Sequence, residues 1–287
     1  MADVYTTYPC ELCGSTDFSE IPEARVYTNN QPLHVCNRCG FVQVIARRSP
    51  ERIAEVWSKE LFGAGYTANW PAVKARMTYV ADTADQQIGL KGKQLCDIGA
   101  GEGNFLKIAS KTYGAKVFGI EPSQANCKLM REASIDCFEG TIEDYRDSPK
   151  GKNDGKFDIV TIMWTLENCN SAVAMLKAAH SIVKPGGHLV MTTGSRLLVP
   201  FKKPLSMYLS KNPSDTHSFR FSASTLQGFF AVAGFEKEFV NHFIDTDWMV
   251  MIGKSVEAGK KIEWKGGDPK KVRDFFKRWH AETAHYL

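Results

Sequence analysis

The stretch Lys93–Ser123, KQLCDIGAGEGNFLKIASKTYGAKVFGIEPS, decides the fold of this 287-residue chain. Glycine occupies alternate positions in it, Gly99, Gly101 and Gly103. The surrounding apolar and polar residues predict a buried strand, a glycine turn, a helix and a second strand, over Gln94–Asp97, Gly99–Gly103, Asn104–Lys111 and Lys116–Ile120. This is the order of a nucleotide-binding βαβ unit.

Each part of the pattern has a chemical use. Glycine lets the backbone pass close to a ligand, and the first turn of a helix offers N–H groups without partners. A carboxylate directly after the second strand, here Glu121, can accept hydrogen bonds from a ribose diol. The dinucleotide fingerprint G-x-G-x-x-G has a different spacing, and an ordinary tight turn between strand and helix is the alternative interpretation.

The stretch resembles the cofactor motif of class I S-adenosylmethionine (SAM) dependent methyltransferases. In that family an acid and the loop glycines, matched here by Asp97 and Gly99–Gly103, flank the amino acid part of SAM, and the second acid holds the ribose. The resemblance implies a Rossmann-like α/β fold with a mostly parallel seven-stranded sheet and helices on both faces. The step Lys184–Gly187, K-P-G-G, is a second family landmark and is expected to form the turn before a strand over His188–Thr192.

The resemblance also assigns cofactor contacts. Many relatives have an acid that binds the adenine amino group where Thr141 stands, so adenine contacts are expected from Thr141 and Ile142 instead. Tyr66 and Arg76 are candidates for a cap and for pairing with the SAM carboxylate, with ordinary packing as the alternative. The expected cofactor-binding residues are Tyr66, Arg76, Asp97, Gly99, Gly101, Gly103, Asn104, Glu121, Pro122, Thr141, Ile142 and Trp164.

Four cysteines form two C-x-x-C-G pairs near the N-terminus, Cys10 with Cys13 and Cys36 with Cys39. This spacing is typical of a tetrahedral zinc site, which is structural because protein ligands fill all four positions. Disulfides are the alternative, but the N-terminal sequence MADVYTTYPC does not resemble a signal peptide, which favours a reducing compartment. A structural zinc contributes on the order of 10 kcal/mol to the folding of so small a module.

Composition limits the classes of function. The chain has no run of about 18 apolar residues, so no membrane span is predicted and a cytoplasmic location is expected. The net charge is +4, and the excess lies in residues 254–287, which hold nine Lys or Arg against five Asp or Glu. The formally neutral remainder argues against a nucleic-acid substrate, which favours a broad basic face.

Two regions after the cofactor motif are expected to carry the acceptor chemistry. A buried strand predicted over Phe157–Trp164 leads into a loop that faces the methyl group in the resembling family, and Glu167 in it is either catalytic or a helix-start acid. Residues 194–221 form a long irregular segment, and such insertions tend to be functional. Within it His217 is the best candidate general base and Asp215 a weaker one, and a histidine that only lines the pocket is the alternative.

Four segments are expected: a zinc-binding module in 1–49, a helical linker and cofactor cap in 50–92, a SAM-binding core in 93–254 with the substrate insertion 194–221, and a linker with a closing helix in 255–287. Apolar periodicity predicts helices over Trp70–Ile88, Gln124–Glu132 and Pro269–Tyr286, and a polar loop is expected over 147–156. The closing helix has an apolar stripe that packs on the core or on a second copy of the chain, which would form a homodimer: Val272, Phe275, Phe276 and Trp279.

Together these features predict a SAM-dependent methyltransferase. Methyl transfer is an in-line displacement for which alignment alone supplies about 7–11 kcal/mol, so the sequence identifies the methyl donor better than the acceptor. A C-x-x-C-G module joined to a SAM domain resembles bacterial sugar and natural-product methyltransferases, which implies O-methylation of a sugar, a nucleotide sugar or a similar small polar metabolite. The alternatives are a sugar C-methyltransferase, an rRNA base methyltransferase and a non-catalytic protein that binds SAM and zinc.

Overall fold

The structure is a computed structural model that describes residues 5–49, 70–153, 156–201, 203–242, 248–257 and 259–286. Its N-terminal part contains five short strands: β1 (Tyr5–Thr7), β2 (Phe18–Glu20), β3 (His34–Cys36), β4 (Val42–Gln43) and β5 (Ala46–Arg48). β1 pairs with β5, while β2, β3 and β4 form an antiparallel sheet. A 3-10 helix over Pro22–Tyr27 connects β2 to β3.

The rest of the chain alternates helices and strands. In order they are α1 (Trp70–Ile88), β6 (Gln94–Ile98), α2 (Asn104–Tyr113), β7 (Lys116–Glu121), α3 (Gln124–Glu132), β8 (Asp136–Glu139), α4 (Ile142–Asp147), α5 (Pro149–Asn153), β9 (Phe157–Met163), α6 (Ala172–Ile182), β10 (Val183–Thr193), α7 (Leu205–Tyr208), β11 (Phe219–Arg220), α8 (Ala223–Ala233), β12 (Phe235–Val240), β13 (Met249–Ser255) and α9 (Pro269–Thr283). Leu166–Asn168 and Ala284–Tyr286 are short 3-10 helices. Within the described ranges, no helix has both the length and the hydropathy needed to cross a membrane.

Seven strands form one sheet in the order β12-β13-β10-β9-β6-β7-β8. The five strands from β10 to β8 are parallel, and β13 is antiparallel to its neighbours β10 and β12. This arrangement confirms the predicted Rossmann-like fold with a mostly parallel seven-stranded sheet. The chain runs from β6 outward to β8 on one side and returns to β9 and β10 on the other, so the strand order reverses beside β6. Doubly wound sheets have their ligand crevice at such a reversal, here the carboxyl end of β6.

Helices cover both faces of the sheet. The central strands β6 and β9 are buried along almost their whole length, as strands covered on both faces require. On one face α6 and α8 contribute Leu176 and Phe229 to the core, and on the other α1 and α2 contribute Val80 and Leu106.

The N-terminal strands are hydrogen-bonded to the rest of the chain. β11 pairs with β4, with Phe219 opposite Gln43, and completes a four-stranded sheet β11-β4-β3-β2. The buried Arg47 guanidinium donates to Glu11 Oε1 at 2.8 Å and lies 4.8 Å from the centroid of the Phe219 ring. The cysteine-bearing segment therefore contacts the insertion that was expected to carry the acceptor chemistry.

The apolar stripe of α9 packs on the same chain. Its four residues are buried in a cluster that includes Tyr27 and Val35 of the N-terminal part and Leu205 of α7. The indole Nε1 of Trp279 donates to the Lys203 carbonyl at 3.0 Å. The stripe is thus core, and the homodimer stays a prediction that this helix does not support.

Two local predictions are wrong. The polar loop expected over residues 147–156 contains α5, because Pro149 suits a first helical position and Ser148 Oγ accepts the N–H of Gly151 at 3.0 Å. The K-P-G-G step is not a turn before a strand. β10 already begins at Val183, and the step forms an irregularity where its register with β9 shifts before His188.

Candidate functional site

The glycine turn lies at the carboxyl end of β6, beside the crevice, and Gly99, Gly101 and Gly103 all have positive φ. A Cβ on Gly99 would lie 2.6 Å from Thr165 Oγ1, and one on Gly103 would lie 2.7 Å from Met130 Cγ. A Cβ on Gly101 would meet no described atom within 4 Å. Packing therefore requires the outer two glycines, while the middle one borders space that a ligand can occupy.

Glu121 ends β7 and holds the glycine turn in place. Its Oε2 accepts the N–H of Gly101 and its Oε1 accepts the N–H of Ser123, both at 2.9 Å. Burial raises the pKa of Glu121, and these backbone donors oppose that shift. Oε1 also accepts from Asn126 Nδ2 at 3.5 Å, whereas Oε2 has a second lone pair with which Glu121 can bind a ribose hydroxyl while it holds the backbone. Pro122, which follows it, is exposed.

Asp97 is buried between two central strands. It accepts a hydrogen bond from Thr161 Oγ1 at 2.6 Å, and burial raises the pKa of Asp97 to about 7. The side chain is 1% exposed, so it braces β6 against β9 beneath the turn. A direct contact between Asp97 and SAM stays a prediction.

The start of α2 offers backbone donors to the crevice. Gly103 is the N-cap residue, and no side chain of the described residues caps this end. The Asn104 amide is engaged locally, since Nδ2 donates to Glu102 Oε2 at 3.2 Å and Oδ1 accepts from Lys107 Nζ at 3.3 Å. The helix start, rather than the Asn104 side chain, therefore suits an anionic group of a ligand.

Thr141 is the N-cap of α4 and forms a capping box with Asp144. The N–H and the hydroxyl of Thr141 both donate to Asp144 Oδ2, at 2.9 and 2.8 Å. A hydrogen bond from Thr141 to adenine would compete with this carboxylate, and the Ile142 side chain is buried in the core. Asp144 is an exposed acid near this position, and the T-x-x-D capping pattern could have shown it from sequence.

Trp164 directly follows β9 with φ +54, a left-handed conformation that is rare for bulky side chains and concentrated at functional positions. Its ring packs edge to face with Trp248 at 5.5 Å, and the Arg76 guanidinium lies 5.3 Å from its centroid. Arg76 Nε and Trp164 Nε1 are buried without a hydrogen-bond partner among the described residues. Both donors suit a polar ligand at the carboxyl edge of the sheet. Tyr66, the expected cap, lies outside the described residues.

Glu167 lies in the 3-10 helix that follows Trp164 and is 1% exposed. Its Oε1 accepts the N–H of Gly194 at 3.3 Å, which links the segments after β9 and β10. Its Oε2 has no hydrogen-bond partner in the described part of the chain. Burial raises the pKa of Glu167 to about 7, so this carboxyl group can exchange a proton near neutral pH.

The structure brings His217 next to this turn, with its backbone N–H donating to Asn168 Oδ1 at 2.6 Å. His217 also has a left-handed backbone, with φ +58. Burial, with the nearby Arg220 and Lys203 charges, lowers the pKa of His217 to about 4. The imidazole is therefore neutral at pH 7 but a weak base.

Asp215, the weaker base candidate, is engaged elsewhere. Its Oδ1 lies 3.0 Å from Arg48 Nε in an ion pair in which both side chains are largely buried. As a base, Asp215 would have to give up this contact with the N-terminal part.

Sequence reasoning missed Arg220, the last residue of β11, which is 1% exposed. Its Nη1 donates to the His217 carbonyl oxygen, while its Nε and Nη2 have no hydrogen-bond partner among the described residues. The guanidinium lies 5.6 Å from the centroid of the Tyr208 ring, and the buried Tyr208 hydroxyl is likewise unpartnered within those residues. The sequence signal was an arginine flanked by two aromatic residues, Phe219 and Phe221, which does not distinguish a surface strand from a buried one.

The four N-terminal cysteines converge, and all eight cysteines of the chain are free thiols. The sulfur atoms lie within 4.8 Å of one another, with Cys10 to Cys39 at 3.5 Å and Cys13 to Cys36 at 3.6 Å. Sulfurs at about 2.3 Å from a tetrahedral zinc lie about 3.8 Å apart, so the cluster fits this metal. The free thiols do not support the disulfide alternative.

Known proteins share this fold and sequence pattern. Residues 74–238 match the model of a methyltransferase domain family. The ubiquinone biosynthesis O-methyltransferase of Pseudomonas aeruginosa (strain LESB58) is 34% identical over 116 residues, covering 39% of this chain and 49% of that protein. The protein of the same name from Ralstonia nicotianae is 30% identical over 171 residues, 56% of this chain and 68% of that protein. The chain spans about half the length of the first of these relatives.

A solved structure shows the same fold. It is the 1,6-didemethyltoxoflavin-N1-methyltransferase of Burkholderia thailandensis with bound S-adenosylhomocysteine, matched with a TM-score of 0.54 and 13% identity over 77% of this chain and 96% of that one. At this identity the match supports the fold alone. The family model covers more than half of the chain and spans the glycine turn, Glu121, Glu167 and Arg220. The chain therefore belongs to the methyltransferase domain family.

Proposed function

We propose that the chain transfers a methyl group from SAM to a hydroxyl group of a small polar molecule. The open space at Gly101 favours this function most, because Glu121 and the start of α2, which no side chain of the described residues caps, lie beside it. Ligands of doubly wound sheets bind at this carboxyl edge. The family membership supports methyl transfer, and the relatives named O-methyltransferases support oxygen as the acceptor atom.

Three groups of this chain fit SAM. Glu121 would accept hydrogen bonds from the ribose hydroxyls, and the backbone N–H groups at the start of α2 would lie along the amino acid part. Arg76 would pair with the carboxylate, because its buried Nε has no hydrogen-bond partner among the described residues. When bound, SAM supplies a methyl group already activated on a sulfonium, so the protein acts mainly by aligning the acceptor.

Glu167 is a better candidate than His217 for the general base. A base works best when its pKa lies near the working pH, because it is then both deprotonated and able to hold a proton. Burial raises the pKa of Glu167 to about 7, whereas burial lowers that of His217 to about 4. Glu167 would accept the acceptor's hydroxyl proton at Oε2, and His217 would line the same pocket in its neutral form.

Zinc in the N-terminal cluster would be structural. Four thiolates complete a tetrahedral site and leave no position for a water or an acceptor. The cluster is locked to the C-terminal part, since the Cys39 carbonyl accepts the N–H of Gly267 at 3.0 Å and a Cβ on Gly40 would lie 3.1 Å from the backbone nitrogen of Asp268. The metal would thereby fix the strands against which β11 pairs.

Two classes of acceptor carry a hydroxyl group that fits this chemistry. The resemblance of the C-x-x-C-G module to sugar methyltransferases favours a sugar or nucleotide sugar as the acceptor. The names of the relatives favour instead a small molecule of ubiquinone biosynthesis. Both are hydroxyl acceptors, so both fit the proposed base.

The test is methyl transfer itself. Zinc-loaded protein is incubated with SAM labelled with ¹³C in its methyl group and with catechol, glucuronate or UDP-glucose, and new methoxy signals are sought by NMR. We expect a methoxy product from at least one probe, and its loss in Glu167→Gln but not in Glu238→Gln, an exposed acid outside the site. Binding of S-adenosylhomocysteine (SAH) without transfer to any probe would contradict the enzymatic proposal and support a sensor.

A further inference from the structure

We infer that Arg220 binds a carboxylate carried by the methyl acceptor, so that the acceptor is a small hydroxy acid. The inference rests on the proposed function, because it places the acceptor between Arg220 and Glu167. It adds a substrate class and a specificity-determining residue that the sequence did not indicate.

The free edge of Arg220 has the shape of a carboxylate site. Nη1 is engaged with the His217 carbonyl, which leaves Nε and Nη2, the two donors on one side of the guanidinium, without partners among the described residues. Two other arginines of this chain hold carboxylates with this same edge. Arg25 uses it on Glu20, and Arg146 on Asp147, with Nε at 2.8 Å and Nη2 at 2.6 Å from the two oxygens. Paired N–H groups of this kind bind both oxygens of one carboxylate.

Burial makes the free edge costly without a ligand. Arg220 is 1% exposed, and the nearby Glu167 carboxylate, which raises the pKa of Arg220 against the effect of burial, is not hydrogen-bonded to its Nε or Nη2. Burying a cation with two unused donors costs several kcal/mol unless a partner compensates for it. The Tyr208 hydroxyl, also buried and unpartnered among the described residues, adds a neutral donor next to the guanidinium. An anion on the Arg220 edge would satisfy these groups together.

The surrounding charge favours an anion with a single charge. Arg220 and Lys203 are cations on the Tyr208 ring, at 5.6 and 5.7 Å from its centroid. His217 is neutral at pH 7, because burial lowers its pKa to about 4, and Glu167 is partly ionised, because burial raises its pKa to about 7. The cluster is therefore positive overall and attracts an anion. The partly ionised Glu167 carboxylate repels a dianion such as a phosphate more strongly than it repels a monoanion.

The cluster lies at the carboxyl edge of the sheet, where the proposed methyl donor would bind. The backbone of His217 joins Asn168, the neighbour of Glu167, and Glu167 in turn binds the N–H of Gly194 after β10. Thr165, two residues before Glu167, packs directly on Gly99 of the cofactor turn. An acceptor held by its carboxylate on Arg220 would thus present its hydroxyl to Glu167, on the side of the proposed methyl donor.

The experiment compares two ligands that differ in charge but not in shape. 4-Fluorobenzoate and 4-fluorobenzamide are titrated by ¹⁹F NMR into the full-length, zinc-loaded chain saturated with SAH. We expect the benzoate to bind at least tenfold more tightly than the amide, Arg220→Gln to abolish this preference, and Tyr208→Phe to reduce it severalfold. Arg278→Gln, which removes an exposed arginine of α9, should leave the preference unchanged.

Several results would overturn the carboxylate site. These are equal binding of the two ligands by the unmodified chain, an unchanged preference in folded Arg220→Gln, and tighter binding of 4-fluorophenyl phosphate than of the benzoate. If Arg220→Gln does not fold, the preference of the unmodified chain and its reduction in Tyr208→Phe decide. SAH affinity, measured by calorimetry on each variant, separates the two proposals. If Arg220→Gln loses as much affinity for SAH as for the benzoate, the arginine belongs to the cofactor site. Absence of SAH binding in the unmodified chain would contradict the proposed function.

Discussion

At the residue scale, Gly101 allows cofactor binding to be tested apart from folding. A Cβ there would meet no described atom, so Gly101→Ala should cost only the roughly 1 kcal/mol of a left-handed backbone. If SAM passes over this residue, the same methyl group should raise the Kd of SAH at least tenfold. Calorimetry gives the affinity and thermal unfolding gives the stability.

Gly114 provides the matched control for this substitution. Its φ is +71 and its Cβ would lie 3.6 Å from the Lys91 side chain, in ordinary contact, at the far end of α2. Gly114→Ala should therefore lower the melting temperature by a similar few degrees and leave SAH affinity unchanged. Equal effects of the two variants on SAH binding would show that Gly101 does not face the cofactor.

Also at the residue scale, the pKa of Glu167 predicts how the rate of the reaction depends on pH. Its pKa is raised by burial to about 7, and a base is active only above its pKa. We expect kcat/KM to fall tenfold per pH unit as the pH decreases below about 7, and Glu167→Gln to have low activity without this decrease. Steady-state rates from pH 5 to 9 measure it.

Asp97 is the necessary control, because burial raises its pKa to about 7 as well. Asp97→Asn should retain the decrease below pH 7 if Glu167 causes it. A decrease that persists in Glu167→Gln would contradict the assignment. Rates that stay constant from pH 8 down to pH 5 would favour His217, whose pKa burial lowers to about 4.

At the element scale, the two-residue strand β11 connects the proposed acceptor site to the proposed zinc site. β11 carries Arg220 and pairs with β4, which begins three residues after Cys39. Removing zinc with a chelator should therefore raise the KM of the acceptor at least tenfold and change the Kd of SAH less than threefold. Cys39→Ser should reproduce this effect, while Cys137→Ser, outside the cluster, should not. Metal-free protein with an unchanged KM would show that the strand does not depend on the metal.

Helix α9 makes a second prediction at this scale. Trp279 is 4% exposed, stacks on Phe201 at 5.2 Å between centroids, and donates to the Lys203 carbonyl. Trp279→Ala should lower the free energy of unfolding by about 3–5 kcal/mol, as truncation of a buried aromatic residue does. Lys277→Ala, an exposed change on the same helix, should stay within about 0.5 kcal/mol in urea denaturation. A small effect of Trp279→Ala would mean that α9 is not part of the core.

At the scale of the whole molecule, local patterns predicted the fold well. α1 and α3 have the predicted bounds, because apolar periodicity and the Ser123 cap are properties of neighbouring residues. The Arg220 site could not be predicted in this way, since it joins Glu167, Tyr208 and β11, which are far apart in sequence and meet only in the fold. The pKa values of Glu167 and His217 depend on burial, which a sequence of polar residues in an irregular segment does not reveal.

Binding of SAH tests whether the crevice at the end of β6 holds SAM. The most direct measurement is a calorimetric titration of SAH into the zinc-loaded chain and into Glu121→Gln, whose carboxylate lies beside Gly101. We predict one SAH per chain, with an affinity at least tenfold weaker in the folded variant because the ribose loses an acceptor. Absence of SAH binding by the unmodified chain, or equal affinity in Glu121→Gln, would contradict the account.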